Sequence, residues 1–277
     1  RAMDKNKKIA VIVVAAGSGS RARRHNGDIA KQYRLLGNKA VLAHALDGFL
    51  QLDMIDIVLP VIGAGQEKLY ERIKPDDAKL LEPIIGGPTR QKSSLAGLLA
   101  LKEHNPDYVL IHDAARPFVD KETVARVCQA LTTHHGALPA LPVSDTIKRS
   151  TDGRKIEATE NRDHLWAAQT PQGFVFKPLL AAYIKAKAKP SLCFGDDAGL
   201  AQWAGLDVVL VPGHEKTFKL TTARDFARAG SFLQGSSQME TRVGSAIDIH
   251  QFEPGDKVRL GALTTVTEIK QEPLLKE

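Results

Sequence analysis

The chain has 277 residues, of which 43% are hydrophobic and 25% charged, and its 38 basic and 32 acidic side chains give a formal net charge of +6. These values are close to the averages of soluble globular proteins, which excludes a disordered or fibrous chain. Only 5% of the residues are aromatic and no basic stretch alternates with aromatic side chains, so we expect small anionic ligands and no nucleic-acid partner.

Short apolar runs alternate along the chain with longer segments of helical period, as in a parallel sheet covered by helices. The predicted strands are 9–14, 55–61, 108–112, 137–142 and 208–211, and the predicted helices are 40–50, 90–103, 121–132, 177–187 and 196–204. This order predicts a doubly wound α/β fold with a mostly parallel sheet. The first apolar run is too short to span a membrane and the two cysteines are far apart, so we expect no membrane partner and a cytoplasmic location.

A glycine-rich loop follows the first predicted strand and reads Ala15-Ala16-Gly17-Ser18-Gly19-Ser20-Arg21, with Lys31-Gln32-Tyr33 further on. Glycines let backbone N–H groups approach phosphate oxygens, and the cations supply compensating charge. The loop is therefore a candidate polyphosphate site. The spacing of Gly17, Gly19 and Ala22 also matches the dinucleotide fingerprint, and a solvated turn between strand and helix explains it equally well.

A second cluster, Gly86-Gly87-Pro88-Thr89-Arg90-Gln91-Lys92-Ser93, lies just before a predicted helix. A glycine pair followed by a serine can meet the edge of a base through backbone groups and a hydroxyl, and a helix N-terminus offers free N–H donors. A helix cap on a surface loop remains the alternative.

A third cluster, His112-Asp113-Ala114-Ala115-Arg116-Pro117, ends the predicted strand 108–112. Ligands of open α/β sheets bind at the carboxyl ends of the strands, so Asp113 and Arg116 are candidate substrate contacts. An exposed salt bridge is the alternative. Asp196 and Asp197 begin a predicted helix, where capping is favoured over a metal pair.

Two regions interrupt the alternation of strands and helices. Residues 145–162 are polar and contain the turn signal Asp152-Gly153, which predicts a hairpin arm at about 145–165. The run Gly235-Ser236-Ser237-Gln238 is typical of a linker. We therefore predict one domain over 3–235 and a second piece over 236–277.

Several motifs in one order make the pattern specific: Ala-Ala-Gly-x-Gly-x-Arg with Lys-Gln-Tyr, Gly-Gly-x-x-Arg-x-x-Ser, His-Asp-Ala-Ala-Arg-Pro, Pro-Val-Ser-Asp-Thr-Ile-Lys-Arg, Asn-Arg-Asp-His-Leu-Trp and Gln-Thr-Pro-Gln. Over residues 8 to about 233 the chain resembles the 2-C-methyl-D-erythritol 4-phosphate cytidylyltransferases of isoprenoid precursor synthesis. The resemblance implies transfer of CMP from CTP to a polyol phosphate, with Mg²⁺ on the triphosphate and a homodimer formed through the arm.

The resemblance also implies roles for single residues. Those expected to contact CTP are Ala15, Ala16, Gly17, Gly19, Arg21, Lys31, Gly86, Gly87 and Ser93, with Arg21 and Lys31 stabilising charge on the α-phosphate. Those expected to hold the polyol phosphate are Asp113, Thr170 and Lys219 of one subunit and Arg116, Thr146 and Arg162 of its partner. Arg21, Lys31, Arg162 and Lys219 form the expected catalytic set. The stretch from Arg21 to Lys31 is a few residues longer than is common in the family, and Ser20 stands where a basic residue is frequent.

Beyond the predicted linker, the run from Arg242 to His250 resembles the start of 2-C-methyl-D-erythritol 2,4-cyclodiphosphate synthase, which some bacteria fuse behind the cytidylyltransferase. Asp248 and His250 match the first two ligands of that family's divalent-metal site, and no His or Cys follows them. We expect an incomplete site that would hold a metal such as Zn²⁺ only in a complete domain, and no cyclodiphosphate synthase activity from this chain.

Two rival enzyme functions fit parts of the pattern, and a non-catalytic tether that uses the basic surface is a third alternative. A cytidylyltransferase for another polyol phosphate, such as ribitol 5-phosphate, would share the loop and much of the third cluster. A nicotinamide-dependent oxidoreductase would use the dinucleotide fingerprint instead.

Overall fold

The computed structural model describes residues 7–17, 29–189 and 191–236. In chain order its strands are β1 (Ile9–Ala15), β2 (Leu35–Leu36), β3 (Lys39–Ala40), β4 (Ile57–Ile62), β5 (Ile84–Ile85), β6 (Tyr108–Asp113), β7 (Gly136–Pro142), β8 (Lys148–Arg149), β9 (Ala158–Thr159), β10 (Trp166–Ala168), β11 (Gln172–Val175) and β12 (Val208–Pro212). The helices are α1 (Val41–Leu50), α2 (Glu67–Glu71), α3 (Arg90–Ala100), α4 (Lys121–Ala130), α5 (Phe176–Lys187), α6 (Asp197–Trp203) and α7 (Ala223–Ser236).

The described residues form a central eight-stranded sheet in which β12, β7, β11, β6, β1, β4 and β5 follow one another and β10 also pairs with β7. β1 runs parallel to both β4 and β6, whereas β10 and β11 run antiparallel to their neighbours. The carboxyl ends of β1, β4 and β6 therefore lie at the same edge of the sheet. The expected doubly wound, mostly parallel α/β fold is confirmed.

Alternate residues of β1 serve two different cores, which is why its sequence is apolar throughout. Val11 and Val13 pack into one core with α1 and α4, and Ala10 and Ile12 pack into the other with α3, α5 and α6. All four are fully buried. Helices thus cover both faces of the sheet and leave its carboxyl edge for the site.

Most predicted elements are confirmed, with ends that move by a few residues. The predicted helix 90–103 is an α-helix only to Ala100 and continues as a 3₁₀ turn over Leu101–His104. The predicted hairpin is present as the antiparallel pair β8–β9, with Gly153 in the left-handed region at φ 69°. The antiparallel strands β10 and β11 were not predicted.

Helix α7 was not predicted either, and it runs through Ser236, the position where the linker was expected to begin. Ala229 on α7 is buried with Leu36, Val41 and Leu220 in a third, smaller core, against which Leu233 also packs. The rest of the predicted linker lies outside the described residues. Among the helices described, none is long and apolar enough to cross a membrane.

Candidate functional site

A cavity of about 410 Å³ opens at the carboxyl edge of the sheet, where β1 and β6 end beside the N-terminus of α3. Most of the predicted site residues that the structure describes line it: Ala15, Ala16, Gly17, Lys31, Gly87, Ser93, Asp113 and Lys219. The structure thus brings the three sequence clusters into one cavity. Gly19 and Arg21, and with them most of the long loop, lie outside the described residues.

Gln32 fixes the end of β1 at one side of the cavity. Its buried side-chain amide donates to the carbonyl oxygen of Ala15 at 2.6 Å and to that of Gly17 at 2.9 Å. The neighbouring Lys31 donates from Nζ to the carbonyl oxygen of Leu220 at 3.0 Å. The lysine is therefore held at the rim of the cavity by the C-terminal part of the domain.

Gly86 and Gly87 permit a close approach that no larger residue allows. A Cβ atom on Gly86 would lie 2.5 Å from the Cβ of Ala16 and 2.7 Å from the Oγ of Ser93. On Gly87 it would lie 2.5 Å from the Cβ of Lys92. The second cluster consequently packs directly against the residues that follow β1, and their backbone groups border the same space.

The alternative interpretation of this cluster as a helix cap is confirmed. The Oγ1 of Thr89 accepts a hydrogen bond from the backbone N–H of Lys92 at 3.2 Å, so Thr89 caps α3. The buried Ser93 hydroxyl lies 3.0 Å from the carbonyl oxygen of Thr89 and 3.2 Å from that of Gly87. The cap and the cavity wall are one structure.

Asp113, at the end of β6, carries the strongest charge interactions of the cavity. Its Oδ1 accepts from Nε of Arg90 at 2.9 Å and its Oδ2 from Nζ of Lys219 at 2.7 Å. Burial alone would raise the pKa of Asp113, but attraction to Arg90 and Lys219 outweighs burial and holds that pKa well below its usual range. Asp113 is therefore a carboxylate at neutral pH.

Beneath Asp113, a hydrogen-bonded pair supports the strand end. The Thr170 hydroxyl accepts from the backbone N–H of Asp113 at 3.1 Å and lies 3.1 Å from Nδ1 of His112. The Nε2 of His112 lies 2.9 Å from the carbonyl oxygen of Arg116, and burial lowers the pKa of His112 to about 4. A neutral ring protonated at Nε2 and accepting from Thr170 fits both contacts. Thr170 thus lies below the cavity, where it supports Asp113.

Arg116 binds the backbone of its own chain. Its guanidinium donates to the carbonyl oxygen of Thr217 at 2.6 Å and to that of Ala168 at 3.4 Å. Leu220 donates its backbone N–H to the carbonyl oxygen of Ala115 at 2.8 Å, close by. The segment from Thr217 to Leu220 is thereby anchored across the third cluster, which places Lys219 against Asp113.

Thr146 and Arg162 lie in the arm region and do not line the cavity of this chain. Both are exposed, and the guanidinium of Arg162 donates to the carbonyl oxygen of Ser144. In the single chain, the side chains of Thr146 and Arg162 therefore face solvent and not the cavity.

The ion pair between Arg90 and Asp197 was not predicted from the sequence. The Nη1 of Arg90 lies 2.6 Å from Oδ2 of Asp197, which is completely buried at the start of α6. Asp196 beside it accepts from the backbone N–H of Gly199 at 2.8 Å, so the predicted capping role is confirmed for Asp196. The run Gly-Asp-Asp before a helix predicts a helix cap, but nothing in it indicates a contact with Arg90.

Within residues 7–17, 29–189 and 191–236, no group of three or more His, Cys, Asp or Glu side chains is arranged to hold a metal ion. Asp113, the carboxylate of the cavity, is engaged by two cations. The proposed metal ligands Asp248 and His250 lie outside the described residues. A metal bound in the described cavity would thus need most of its ligands from a substrate and from water.

Comparison with known sequences relates this chain to one protein family. The sequence model described as IspD, 2-C-methyl-D-erythritol 4-phosphate cytidylyltransferase, matches residues 9–235. A "Bifunctional enzyme IspD/IspF" of Mesorhizobium japonicum is 47% identical over 254 residues, which cover 91% of this chain and 62% of that protein. The chain therefore spans less than two thirds of the length of such relatives.

The solved structures that superpose on this chain include enzymes of the same family. The 4-diphosphocytidyl-2C-methyl-D-erythritol synthase of Anaerococcus prevotii superposes with a TM-score of 0.70 and 31% identity, covering 83% of this chain and 100% of its own. The 2-C-methyl-D-erythritol 4-phosphate cytidylyltransferase of Thermus thermophilus superposes with a TM-score of 0.68 and 31% identity, covering 82% of this chain and 99% of its own. The described fold is therefore shared with these enzymes.

Proposed function

Because this chain belongs to the 2-C-methyl-D-erythritol 4-phosphate cytidylyltransferase family, we propose that it transfers the CMP group of CTP to 2-C-methyl-D-erythritol 4-phosphate and releases pyrophosphate. The observation that carries the proposal is the convergence of Lys31, the Gly87–Ser93 cluster and the Asp113–Lys219 pair on one cavity. These supply a cation for phosphate, backbone groups for a base and a charged pair for a hydroxylated acceptor.

The chemistry requires charge neutralisation more than a strong base. An oxygen of the acceptor phosphate attacks the α-phosphorus of CTP, the bond from that phosphorus to the bridging oxygen breaks, and pyrophosphate leaves with the electron pair. A phosphate monoester is already anionic at neutral pH, so positioning and cations suffice. We assign Lys31 and Arg21 to the charge that develops on the α-phosphate.

We assign the nucleotide to the side of the cavity formed by the first two clusters. The residues proposed to contact CTP are Ala15, Ala16, Gly17, Gly19, Gly86, Gly87 and Ser93. In support, Gly87 and Ser93 line the cavity, and backbone groups and a hydroxyl of this kind can meet the edge of a base. The dinucleotide alternative requires an acidic residue at the end of the next long strand, but β4 ends at Ile62 and is followed by Gly63.

The acceptor is assigned to the opposite side, at Asp113 and Lys219. A carboxylate accepts hydrogen bonds from polyol hydroxyls and a lysine ammonium pairs with the phosphate. Thr170 contributes by holding the backbone of Asp113.

We also propose that Thr146 and Arg162 act on the acceptor of a second subunit, through an arm-mediated homodimer. The exposure of Thr146 and Arg162 in the single chain supports this role. Arg116 was expected to do the same, but its guanidinium donates to the carbonyl oxygens of Thr217 and Ala168 in its own chain, so we assign it to anchoring the segment that carries Lys219.

Magnesium is the divalent ion that we propose for the reaction. The described residues offer no metal-binding cage, which fits an ion held by triphosphate oxygens and water. When bound, such an ion neutralises charge on those oxygens. The protein's own contribution is to hold the phosphates beside Lys31.

We further propose that the cytidylyltransferase unit covers 3–235 and that residues from 236 onward begin a second unit, in which Asp248 and His250 are two ligands of a divalent-metal site that only a complete domain would hold. The bifunctional names of the relatives support this division. We place the reaction in the cytoplasm, in keeping with free thiols at Cys128 and Cys193.

The test is pyrophosphate release by the purified full chain with CTP and magnesium. We expect release that depends on 2-C-methyl-D-erythritol 4-phosphate and is much slower with ribitol 5-phosphate. If the protein turned over ribitol 5-phosphate and not 2-C-methyl-D-erythritol 4-phosphate, the proposed acceptor would be wrong. Tight NADH binding without any CTP-dependent release would support the oxidoreductase instead.

A further inference from the structure

A line of alternating charges runs from the interior of the protein to the acceptor side of the cavity. Asp197 contacts Arg90, Arg90 contacts Asp113, and Asp113 contacts Lys219, at 2.6, 2.9 and 2.7 Å. The inner end is completely buried, whereas the side chain of Lys219 is 40% exposed. Asp113 and Lys219 are proposed to bind the acceptor. Arg90 contacts Asp113 directly, so Arg90 and Asp197 lie immediately behind the acceptor site.

Burying the carboxylate of Asp197 has a cost that its environment must offset. An ionised group in a protein interior loses several kcal/mol of hydration, which only close partners can return. Besides Arg90, Asp197 receives a hydrogen bond from the Tyr183 hydroxyl. Asp196, next to it in sequence, already caps α6, so the helix end does not require Asp197 as its cap.

Arg90 is suited to link two separate carboxylates. Its Nε donates to Asp113 and its Nη1 contacts Asp197, so different edges of one planar guanidinium are held by different acids. Two anchors fix the plane of the guanidinium, whereas one anchor would let it rotate. Burial alone would lower the pKa of Arg90, but the two carboxylates raise it above its usual value, so the link stays charged.

We infer that Asp197 is a positioning residue for the acceptor side of the site: it holds Arg90, and through Arg90 it orients the Asp113 carboxylate toward the polyol phosphate. The inference rests on the proposed function. Arg90 belongs to the second cluster, but its guanidinium contacts Asp113 and Asp197, so we expect Arg90 and Asp197 to determine acceptor affinity more than nucleotide affinity. On the nucleotide side, the Ser93 hydroxyl lies within hydrogen-bond distance of the carbonyl oxygens of Gly87 and Thr89.

The charge balance explains why Asp197 should matter to binding. With Asp197 present, the positive charge of Arg90 is divided between two carboxylates, so Asp113 retains negative charge for the acceptor's hydroxyl groups. Without it, Arg90 is free to turn wholly toward Asp113 and to compete with those hydroxyl groups. The expected result is weaker acceptor binding with little effect on CTP.

The test compares Asp197→Asn with the neighbouring Asp196→Asn in steady-state pyrophosphate release. Asparagine keeps the shape in both variants, and at residue 196 it keeps the capping oxygen. For Asp197→Asn we expect the KM for the polyol phosphate to rise about tenfold, because Arg90 loses one of its two charged partners. The KM for CTP should change by less than about twofold, and Asp196→Asn should resemble the wild type in both constants.

Two further variants keep the test decisive if Asp197→Asn does not fold. Arg90→Lys retains a charge but cannot bridge two carboxylates, so it should also raise the KM for the acceptor selectively. Tyr183→Phe removes one partner of Asp197 and should produce a smaller shift in the same direction. An unchanged acceptor KM in a folded variant, or equal changes in both KM values, would overturn the inference. Absence of turnover by the wild type would instead refute the proposed function.

Discussion

The side-chain amide of Gln32 donates a hydrogen bond to the carbonyl oxygen of Ala15 at 2.6 Å, which ties the turn beside Lys31 to the end of β1. The same amide reaches the carbonyl oxygen of Gly17 at 2.9 Å. The two described ends of the glycine-rich loop are therefore held together by one buried donor. We therefore expect the geometry of the nucleotide side to depend on this donor.

Replacing that donor by an acceptor of the same shape should disturb CTP binding. In Gln32→Glu, two carbonyl oxygens would face a carboxylate, and we expect the KM for CTP to rise at least about tenfold from the lost hydrogen bonds. Gln202→Glu, at an exposed position on α6, is the matched control. An unchanged KM for CTP in a folded Gln32→Glu protein would contradict the role given to Gln32.

A methyl group at Gly86 should separate the second cluster from the residues after β1. Its Cβ would lie 2.5 Å from Ala16 and 2.7 Å from Ser93, so neighbouring atoms would have to shift. We expect Gly86→Ala to lower the free energy of unfolding by about 1–3 kcal/mol and to raise the KM for CTP. The control Gly230→Ala, in α7 with nothing within 4 Å, should be neutral or stabilising in urea unfolding.

Removing the ammonium of Lys219 should weaken use of the acceptor. Lys219→Ala leaves Asp113 with Arg90 as its charged partner and deletes a cation from the cavity. We expect kcat/KM for the polyol phosphate to fall about a hundredfold, as for loss of a preorganised charge. Lys216→Ala, exposed and three residues earlier, should behave like the wild type. Equal activity of the Lys219→Ala and Lys216→Ala variants would contradict the role proposed for Lys219 in acceptor binding.

The buried imidazole of His112 should make folding sensitive to mild acid. Its pKa is lowered from 6.5 to about 4, so the unfolded chain takes up a proton more readily than the folded one. Stability from this group should be complete above pH 6.5 and should decline as the pH falls from 6.5 toward 4, by up to roughly 3 kcal/mol. Urea unfolding of wild type and His112→Gln across this range checks it. The variant should show a flatter dependence, and an identical slope would contradict the prediction.

The parts of the fold that the sequence predicted are those with local patterns. The run ending at His112 is apolar and β-rich, so strand β6 and the position of Asp113 at its carboxyl end followed directly. Strand β11 carries no comparable signal, because its antiparallel insertion between β6 and β7 is decided by pairing with residues far away in the chain. Helix α7 was missed for another reason. Its glycine and serine content suggested a linker, although Phe226, Ala229 and Leu233 have helical spacing and pack on one core.

In the site, too, features with a local sequence motif were predicted, and features that depend on tertiary contacts were not. The three clusters were found because each has its own motif, and their convergence followed from the rule for parallel sheets. The contact between Arg90 and Asp197 was not foreseeable, because the two residues belong to helices whose approach depends on the tertiary fold. The predicted substrate contact Thr170 has a motif of its own, yet only the structure reveals that its hydroxyl is engaged by the backbone of Asp113.

The most direct test of the central claim is to follow the labelled α-phosphate of CTP into product. With wild-type protein, magnesium and 2-C-methyl-D-erythritol 4-phosphate, we expect the label in 4-diphosphocytidyl-2-C-methyl-D-erythritol, with one pyrophosphate released per product. Lys31→Ala should slow this transfer by at least about a hundredfold, since it removes a cation from the transferring phosphate. Label that remains in CTP or appears only as CMP, or full transfer by Lys31→Ala together with Arg21→Ala, would contradict the account.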